Sequence, residues 1–264
     1  MDPPLDSDTK SCPPQLAQEI IDEIIDTFSA CNHRAAIVPL TTVARGWRPR
    51  SQRQLFHTHT LMISDETLQK ALEDTRTCSP AIVFSYVRVL LLHRPDTGIG
   101  LGDGAWLLRL FTNVVQLKLR NLSFRGVTLD QATRTFGHFG RTVRRLHLAE
   151  VRLKAKMLMH LVAWFPIADD IEVHAGLPRD VGLIPVEEPV IRKFQGRLLL
   201  DCLRGFHGDF LDFISAGSPS FDTLTVAYCR ECEDQIARLI RACGDSLKTF
   251  QYSTGRSGKF IFGL

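Results

Sequence analysis

The segment Val143-Arg-Arg-Leu-His-Leu148 carries the pattern that decides the fold. Apolar residues stand at its first, fourth and sixth positions, and the same spacing returns at six other places. The seven segments have these central apolar residues, 25 to 29 positions apart: Leu90, Leu117, Leu146, Ile171, Leu198, Leu224 and Phe250. Two first positions depart from the pattern, since Ala168 is small and Gln195 is polar. A steady period in the twenties is typical of a protein built from repeated units.

Each segment predicts one strand, because its last two apolar residues are two positions apart and lie on one face of an extended chain. The pattern resembles the leucine-rich repeat over residues 85–255. That resemblance implies an α/β fold, a right-handed solenoid with parallel strands inside and helices on the convex side. We expect helices at 105–111, 128–139, 154–165, 206–214 and 230–242, and a long loop at 176–189.

The segments at either end of the repeats give further expectations. The side chains of residues 57–63 alternate in character well enough for this segment to be the first strand of the sheet. Ser64 begins a helical pattern that continues through Leu68, Ala71 and Leu72. The apolar run 259–264 is either a last edge strand or the sign of a truncated product.

Residues that alternate with the apolar positions are expected on the concave face of the solenoid, where they form a varied polar surface. Such a surface suits a protein or peptide partner better than a small molecule. The alternative is an ordinary solvated strand face. The candidate substrate-binding residues are Lys118, Arg120, Arg145, His147, Glu172, His174 and Asp201.

The N-terminal part has a different character. Residues 1–14 contain four prolines and no periodicity, so we expect disorder there. An amphipathic helix follows, in which Ile20, Ile21, Ile24, Ile25 and Phe28 share one face. A second helical pattern runs from Ile37 to Trp47 and stops before Pro49.

This part resembles the F-box, the module that docks onto the Skp adaptor of cullin-RING ubiquitin ligases. The resemblance lies in Leu16-Ala-Gln-Glu-Ile-Ile-Asp-Glu-Ile-Ile25, in Leu40-Thr-Thr-Val-Ala-Arg-Gly-Trp47 and in the tail 48–56. Ala17 replaces the family's proline, which weakens the start of the helix, and Ala44 replaces its cysteine. The resemblance implies that the adaptor is bound by Leu16, Ile20, Ile21, Ile24, Ile25, Leu40, Val43 and Trp47.

The domains expected are therefore a disordered start at 1–14, an F-box-like module at 15–56 and a repeat domain at 57–264. The combination implies a substrate receptor of a ubiquitin ligase that performs no bond-making chemistry and needs no cofactor. The main alternative is a repeat scaffold whose N-terminal helices are only a terminal cap. In that case Ile21, Ile24, Leu40 and Val43 would fold against the first repeat.

Other motifs were weighed for chemistry. The stretch Gly98–Gly104 resembles a dinucleotide-binding loop, but Arg120 and Asn121 stand where the acidic ribose ligand belongs. Cys229 and Cys232 have the spacing of half a zinc site without a second half, and we interpret them as reduced thiols. His57 and His59 lack further ligands nearby. No enzyme activity, metal site or cofactor is predicted.

Composition agrees with this interpretation. A length of 264 residues with 44% hydrophobic content permits a large core, and a net charge of +3 gives no reason to expect nucleic acid or a membrane surface as partner. No apolar run approaches the length of a spanning helix. Seven cysteines without framework spacing fit reduced thiols. We expect a monomer in the cytoplasm, the nucleus or both.

Overall fold

The computed structural model divides the chain into two compact units, residues 1–55 and residues 56–264. The structure describes residues 17–31, 34–43, 45–57, 61–63, 84–93, 108–124, 126–174, 193–201, 207–227, 232–253 and 259–263. Several predicted features lie outside these residues: the helix beginning at Ser64, the Gly98–Gly104 stretch, the 176–189 loop and Cys229.

The first unit is helical. Its helices are α1 (Gln18–Cys31), α2 (Arg34–Val43) and α3 (Arg48–His57). The prediction of one helical pattern up to Pro49 was wrong, because α2 ends at Val43 and α3 includes Pro49 in its first turn. Proline is accommodated there, since the first amides of a helix have no partner within it.

The three helices are joined by apolar and polar contacts. Helices α1 and α2 pack together, and the buried apolar residues of the unit include Ile21, Ile25, Ile37 and Leu55. Asp26 on α1 accepts hydrogen bonds from Arg50 Nε at 2.9 Å and from Gln54 Nε2 at 2.7 Å, both on α3. These bonds tie the first helix to the third.

The second unit is an α/β structure around one sheet of nine strands, counted within the described residues. The strands are β1 (Leu61–Ile63), β2 (Val89–His93), β3 (Gln116–Arg120), β4 (Arg145–Ala149), β5 (Asp170–His174), β6 (Gln195–Asp201), β7 (Ser220–Ala227), β8 (Thr249–Ser253) and β9 (Lys259–Gly263). They lie side by side in chain order. Strands β1 to β8 are parallel, and β9 pairs with β8 antiparallel.

The register of the parallel strands follows the sequence period. The seven central apolar residues, from Leu90 to Phe250, pair directly with one another from strand to strand. The predicted parallel α/β arrangement is therefore confirmed. Of the strand predicted at 57–63, His57 instead belongs to α3, and Leu61–Ile63 form β1.

The helices of the second unit complete its core. They are α4 (Leu129–Phe136), α5 (Ala155–Ala163), α6 (His207–Ala216) and α7 (Glu233–Cys243), close to four of the five predicted positions. Of the fifth, 105–111, the structure describes only 108–111, where Leu108 is helical and a turn follows, with Leu108 and Phe111 buried. Thr128 begins α4 with a capping box, because its hydroxyl accepts the Gln131 amide and the Gln131 side chain accepts the Thr128 amide.

One predicted strand position was wrong. The spacing placed Gln195 at the first position of its repeat, as a polar departure from the pattern, but Gln195 is exposed and Phe194 is buried in its place. The pairing of β6 with β7 shifts between Gly196 and Arg197. Gly196 has φ +81°, a conformation in which the usual alternation of inward and outward side chains is not kept.

Candidate interaction surfaces

The sheet face turned away from the core carries three rows of side chains that run across the strands. The middle row consists of Leu91, Lys118, His147, Glu172, Leu199, Thr225 and Gln251, which are direct neighbours from β2 to β8. The rows on either side begin at Val89 and His93. All residues predicted for the concave face lie in these rows. The sequence period therefore determines which polar residues become neighbours.

Glu172 on β5 is the centre of a polar cluster that spans β4, β5 and β6. His147 Nδ1 lies 2.6 Å from Glu172 Oε2, and Arg197 contacts Glu172 Oε1. Because an ionised carboxylate can only accept, His147 is the donor. Burial raises the pKa of Glu172, but the hydrogen bond from His147 and the positive charge of Arg197 outweigh burial and bring the pKa below its ordinary value.

Arg197 is itself held from a second side. Its Nε and a terminal nitrogen donate to the two carboxylate oxygens of Asp170 at 2.8 and 3.2 Å. This paired geometry is the strongest form of an arginine–carboxylate contact. The hydrogen bond to Asp170 raises the pKa of Arg197, so the guanidinium stays charged.

His174 joins the cluster to Asp201 on β6. Its Nδ1 lies 3.2 Å from Asp201 Oδ2, and its Nε2 lies 3.8 Å from Glu172 Oε2. The other oxygen of Asp201, Oδ1, is buried and has no hydrogen-bond partner among the described residues. The structure thus brings four predicted residues together: His147, Glu172, His174 and Asp201.

The other three predicted substrate-binding residues lie on the same face without joining the cluster. In the strand register, Lys118 lies opposite His147, Arg120 opposite Ala149, and Arg145 opposite Asp170. In the described part of the chain, their side chains form no ion pair. They supply positive charge beside the cluster. Asp170 and Arg197 are part of the cluster's hydrogen-bond network. The sequence placed these two residues in the rows but not among the binding residues.

The N-terminal unit has a second surface, formed by the outer side of α1. Ile20, Ile24 and Phe28 are spaced by four residues and therefore lie along one stripe of the helix. Ile20 and Phe28 are 46% and 48% exposed, and Ile24 is half-buried. Ile21 and Ile25 form a parallel stripe that is buried. The expected single apolar face is thus two stripes, one inside and one outside.

Helix α2 and the following turn continue this exposed apolar character. Val43 is 59% exposed, while Leu40 and Trp47 are half-buried. Val38 and Phe28 are each 48% exposed. The sequence analysis did not single out Val38, and it placed Phe28 on the apolar face of the helix without assigning it to the adaptor. We call the residues Ile20, Ile24, Phe28, Val38 and Val43 the outer apolar surface. Leu16 lies outside the described residues.

The start of α1 forms without the proline that the F-box pattern carries. The backbone carbonyl of Ala17 accepts the amides of Ile20 and Ile21 at 3.1 and 3.2 Å. Gln18 Nε2 donates to Asp22 Oδ1 at 2.9 Å within the same turn. Ala17 is therefore compatible with a helix that begins at Gln18.

No model of a known protein family matches this chain, and no curated protein matches its sequence. The part of the chain that the structure describes contains no helix with the length and apolar character needed to cross a membrane.

Proposed function

We propose that the protein is a substrate receptor of a Skp-cullin-F-box type ubiquitin ligase. Residues 15–56 would bind the Skp adaptor as an F-box, and the repeat domain would bind a protein substrate. The protein would contribute proximity instead of chemistry, since holding a substrate beside the ligase raises its effective concentration there. This role belongs in the cytoplasm, the nucleus or both.

The outer apolar surface is the observation that carries the proposal. Exposed large apolar side chains on a small helical unit are favourable when a partner covers them. Ile20 and Val43 are among them, and both occupy positions that the F-box resemblance assigns to the adaptor. Two other assigned residues, Ile21 and Ile25, are buried, so their role in this proposal is to support the helix from inside.

The proposal for the repeat domain is a leucine-rich-repeat-like solenoid, right-handed, with its helices on the convex side. It is supported by eight parallel strands in chain order and by the register of the seven apolar anchors. The polar rows would then offer a substrate the positive charge of Lys118, Arg120 and Arg145 next to the carboxylates around Glu172. A protein partner with both charges would complement this face.

The affinity of the full chain for a purified Skp-type adaptor tests the adaptor proposal. The variant Ile20→Asp/Val43→Asp places two charges on the outer apolar surface without altering a buried residue. Truncating a central interface residue costs about 2 kcal/mol or more, so we expect the double change to weaken binding at least about a hundredfold in calorimetry.

The control is Ile167→Asp, which places one such charge at an exposed apolar residue of the repeat domain. It should bind the adaptor like the wild type. Equal affinities for wild type and double variant, with helical circular dichroism retained, would contradict the proposal.

A second candidate is a repeat interaction protein with no link to a ligase. Burial of Ile21 and the half-buried state of Ile24 and Leu40 favour it, because a plain cap needs inward-facing apolar residues of this kind. Absence of adaptor binding by the full wild-type chain at micromolar concentrations would favour this candidate.

A further inference from the structure

Three side chains of types that can ligate a metal come together on the face of β4 and β5 turned away from the core. One possible ligand atom from each of His147, Glu172 and His174 lies within 4.8 Å of the other two. His147 is directly opposite Glu172 in the parallel register, and His174 follows two residues later on the same face. All three side chains are half-buried, and paired strands instead of loops fix their backbone positions.

The hydrogen bond between His174 and Asp201 determines which ring nitrogen of His174 is available to a metal ion. Ionised Asp201 only accepts, so Nδ1 of His174 carries a proton, and a neutral ring then has its lone pair on Nε2. That nitrogen lies 3.8 Å from Glu172 Oε2, another acceptor. Two acceptors so placed are favourable when a cation lies between them. A carboxylate that orients a histidine in this way is also the usual support of a metal-binding imidazole.

The two separations that include Glu172 are within about 0.7 Å of those in a zinc site, and the two histidines are within 4.8 Å of each other. With bonds of 2.0–2.2 Å, two ligand atoms of a tetrahedral Zn²⁺ ion lie about 3.3 Å apart. The separation of His174 Nε2 from Glu172 Oε2 needs to shrink by about 0.5 Å to match that value. The 2.6 Å contact between His147 and Glu172 needs to open by a similar amount, with the ion replacing the shared proton.

The charges around the three residues are mixed, since Lys118 lies opposite His147 and Arg145 lies opposite Asp170 in the strand register. Asp170, Glu172 and Asp201 bring three carboxylates, and Arg197 is the arginine that contacts two of them. Arg197 bonds Oε1 of Glu172, which leaves Oε2 for the ion. The buried, unpartnered Oδ1 of Asp201 adds negative charge that no described residue neutralises by a hydrogen bond.

We propose that His147, Glu172 and His174 bind a divalent transition-metal ion of the class that prefers imidazole, with Zn²⁺ as the representative. Asp201 is a positioning residue that orients His174. Three protein ligands leave a coordination position for water or for a side chain of a bound partner. The proposal does not depend on the ligase role. The competing arrangement is a doubly protonated His174 that forms ion pairs with Glu172 and Asp201 and binds no metal.

Titration of the full chain with Co²⁺ tests the site, because cobalt reports its ligands in visible absorption and thiolate ligands add a distinct charge-transfer band. We expect the wild type to bind one ion with the spectrum of nitrogen and oxygen ligands. His147→Gln/His174→Gln should weaken this binding more than a hundredfold. Asp201→Asn should weaken it tenfold to a hundredfold, as loss of an orienting carboxylate does at other metal sites.

His93→Gln is the matched control, since His93 lies in the same row as His174 on β2, outside the three-residue set. It should bind like the wild type. Identical titrations for the wild type and the double variant, or no binding by the wild type, would overturn the proposal. X-ray absorption of the wild type loaded with one Zn²⁺ ion gives a test without variants: imidazole scattering is expected, and sulfur ligation would overturn it.

Discussion

Gly196 shows how one residue positions the polar cluster. Its φ of +81° is unfavourable for side-chain-bearing residues, and a Cβ there would lie 2.0 Å from the Asp169 carbonyl oxygen. The same carbonyl accepts the amide of Arg197 at 2.7 Å. This close approach fixes the backbone just before Arg197, whose guanidinium holds Asp170 and Glu172.

Gly196→Ala is therefore expected to destabilise the second unit strongly. A Cβ at that site forces the backbone of Asp169 away and breaks the amide bond to Arg197, in addition to the cost of the left-handed conformation. We expect a loss of about 3 kcal/mol or more in the free energy of unfolding, measured by urea denaturation.

Gly126→Ala separates the two causes. Gly126 has a similar φ of +78°, but no atom lies within 4 Å of the added Cβ. Its substitution should cost only about 1–2 kcal/mol, the penalty of the backbone conformation. Equal losses for the two variants would show that the contact with Asp169 is not what requires glycine at 196.

The residue scale is also where the sequence was least informative. A spacing pattern assigns Gln195 to the core because it counts positions and assumes regular alternation. The register shift at Gly196 breaks that alternation, and Phe194 takes the buried place. The metal-binding set was visible in principle, because the period makes His147 and Glu172 neighbours. The predicted rows contained that pairing, but the orientation of His174 by Asp201 depends on side-chain geometry.

At the scale of single elements, α1 shows what periodicity can and cannot establish. The pattern predicted a helix with apolar residues on one side, and the helix is present. Periodicity alone does not tell which part of a broad apolar face is covered, and here Ile21 and Ile25 are inside while Ile20 and Phe28 are outside. The proposed adaptor contact therefore moves to the outer stripe.

The Asp26–Arg50 contact between α1 and α3 predicts a pH effect on the first unit. The hydrogen bond from Arg50 lowers the pKa of Asp26 below its ordinary value of 3.8, against the opposing effect of burial. A carboxyl whose pKa is lower in the folded state stabilises that state above pH 3.8, and the contribution disappears as pH falls through the lower folded value. Since both side chains are partly exposed, we expect about 0.5 kcal/mol at neutral pH.

Hydrogen exchange of the amides in α1 and α3 measures this contribution locally. Asp26→Asn should reduce their protection at pH 7, and its difference from the wild type should shrink as pH falls below 3.8. Asp130→Asn is the control, because its pair with Arg134 lies within α4 and is largely exposed. A difference between wild type and Asp26→Asn that grows as pH falls would refute the assigned sign.

At the scale of the whole molecule, the parallel sheet was predictable because repetition is a long-range signal. Each unit buries its two strand anchors against its neighbours, so the same spacing must recur in every strand, and Leu146 pairs with Leu117 and Ile171 as the period requires. Segments without repetition gave no such constraint. The end of α2 at Val43 and the start of α3 before Pro49 were accordingly missed.

The measurement that tests the ligase proposal most directly is hydrogen exchange of the full chain with and without a purified Skp-type adaptor. Adaptor bound through the outer apolar surface should slow exchange in α1 and α2, residues 18–43, and leave the amides of β7, residues 220–227, unchanged. No protection in α1 and α2, or protection confined to the strands of the second unit, would contradict the proposal that the N-terminal unit is the adaptor-binding module.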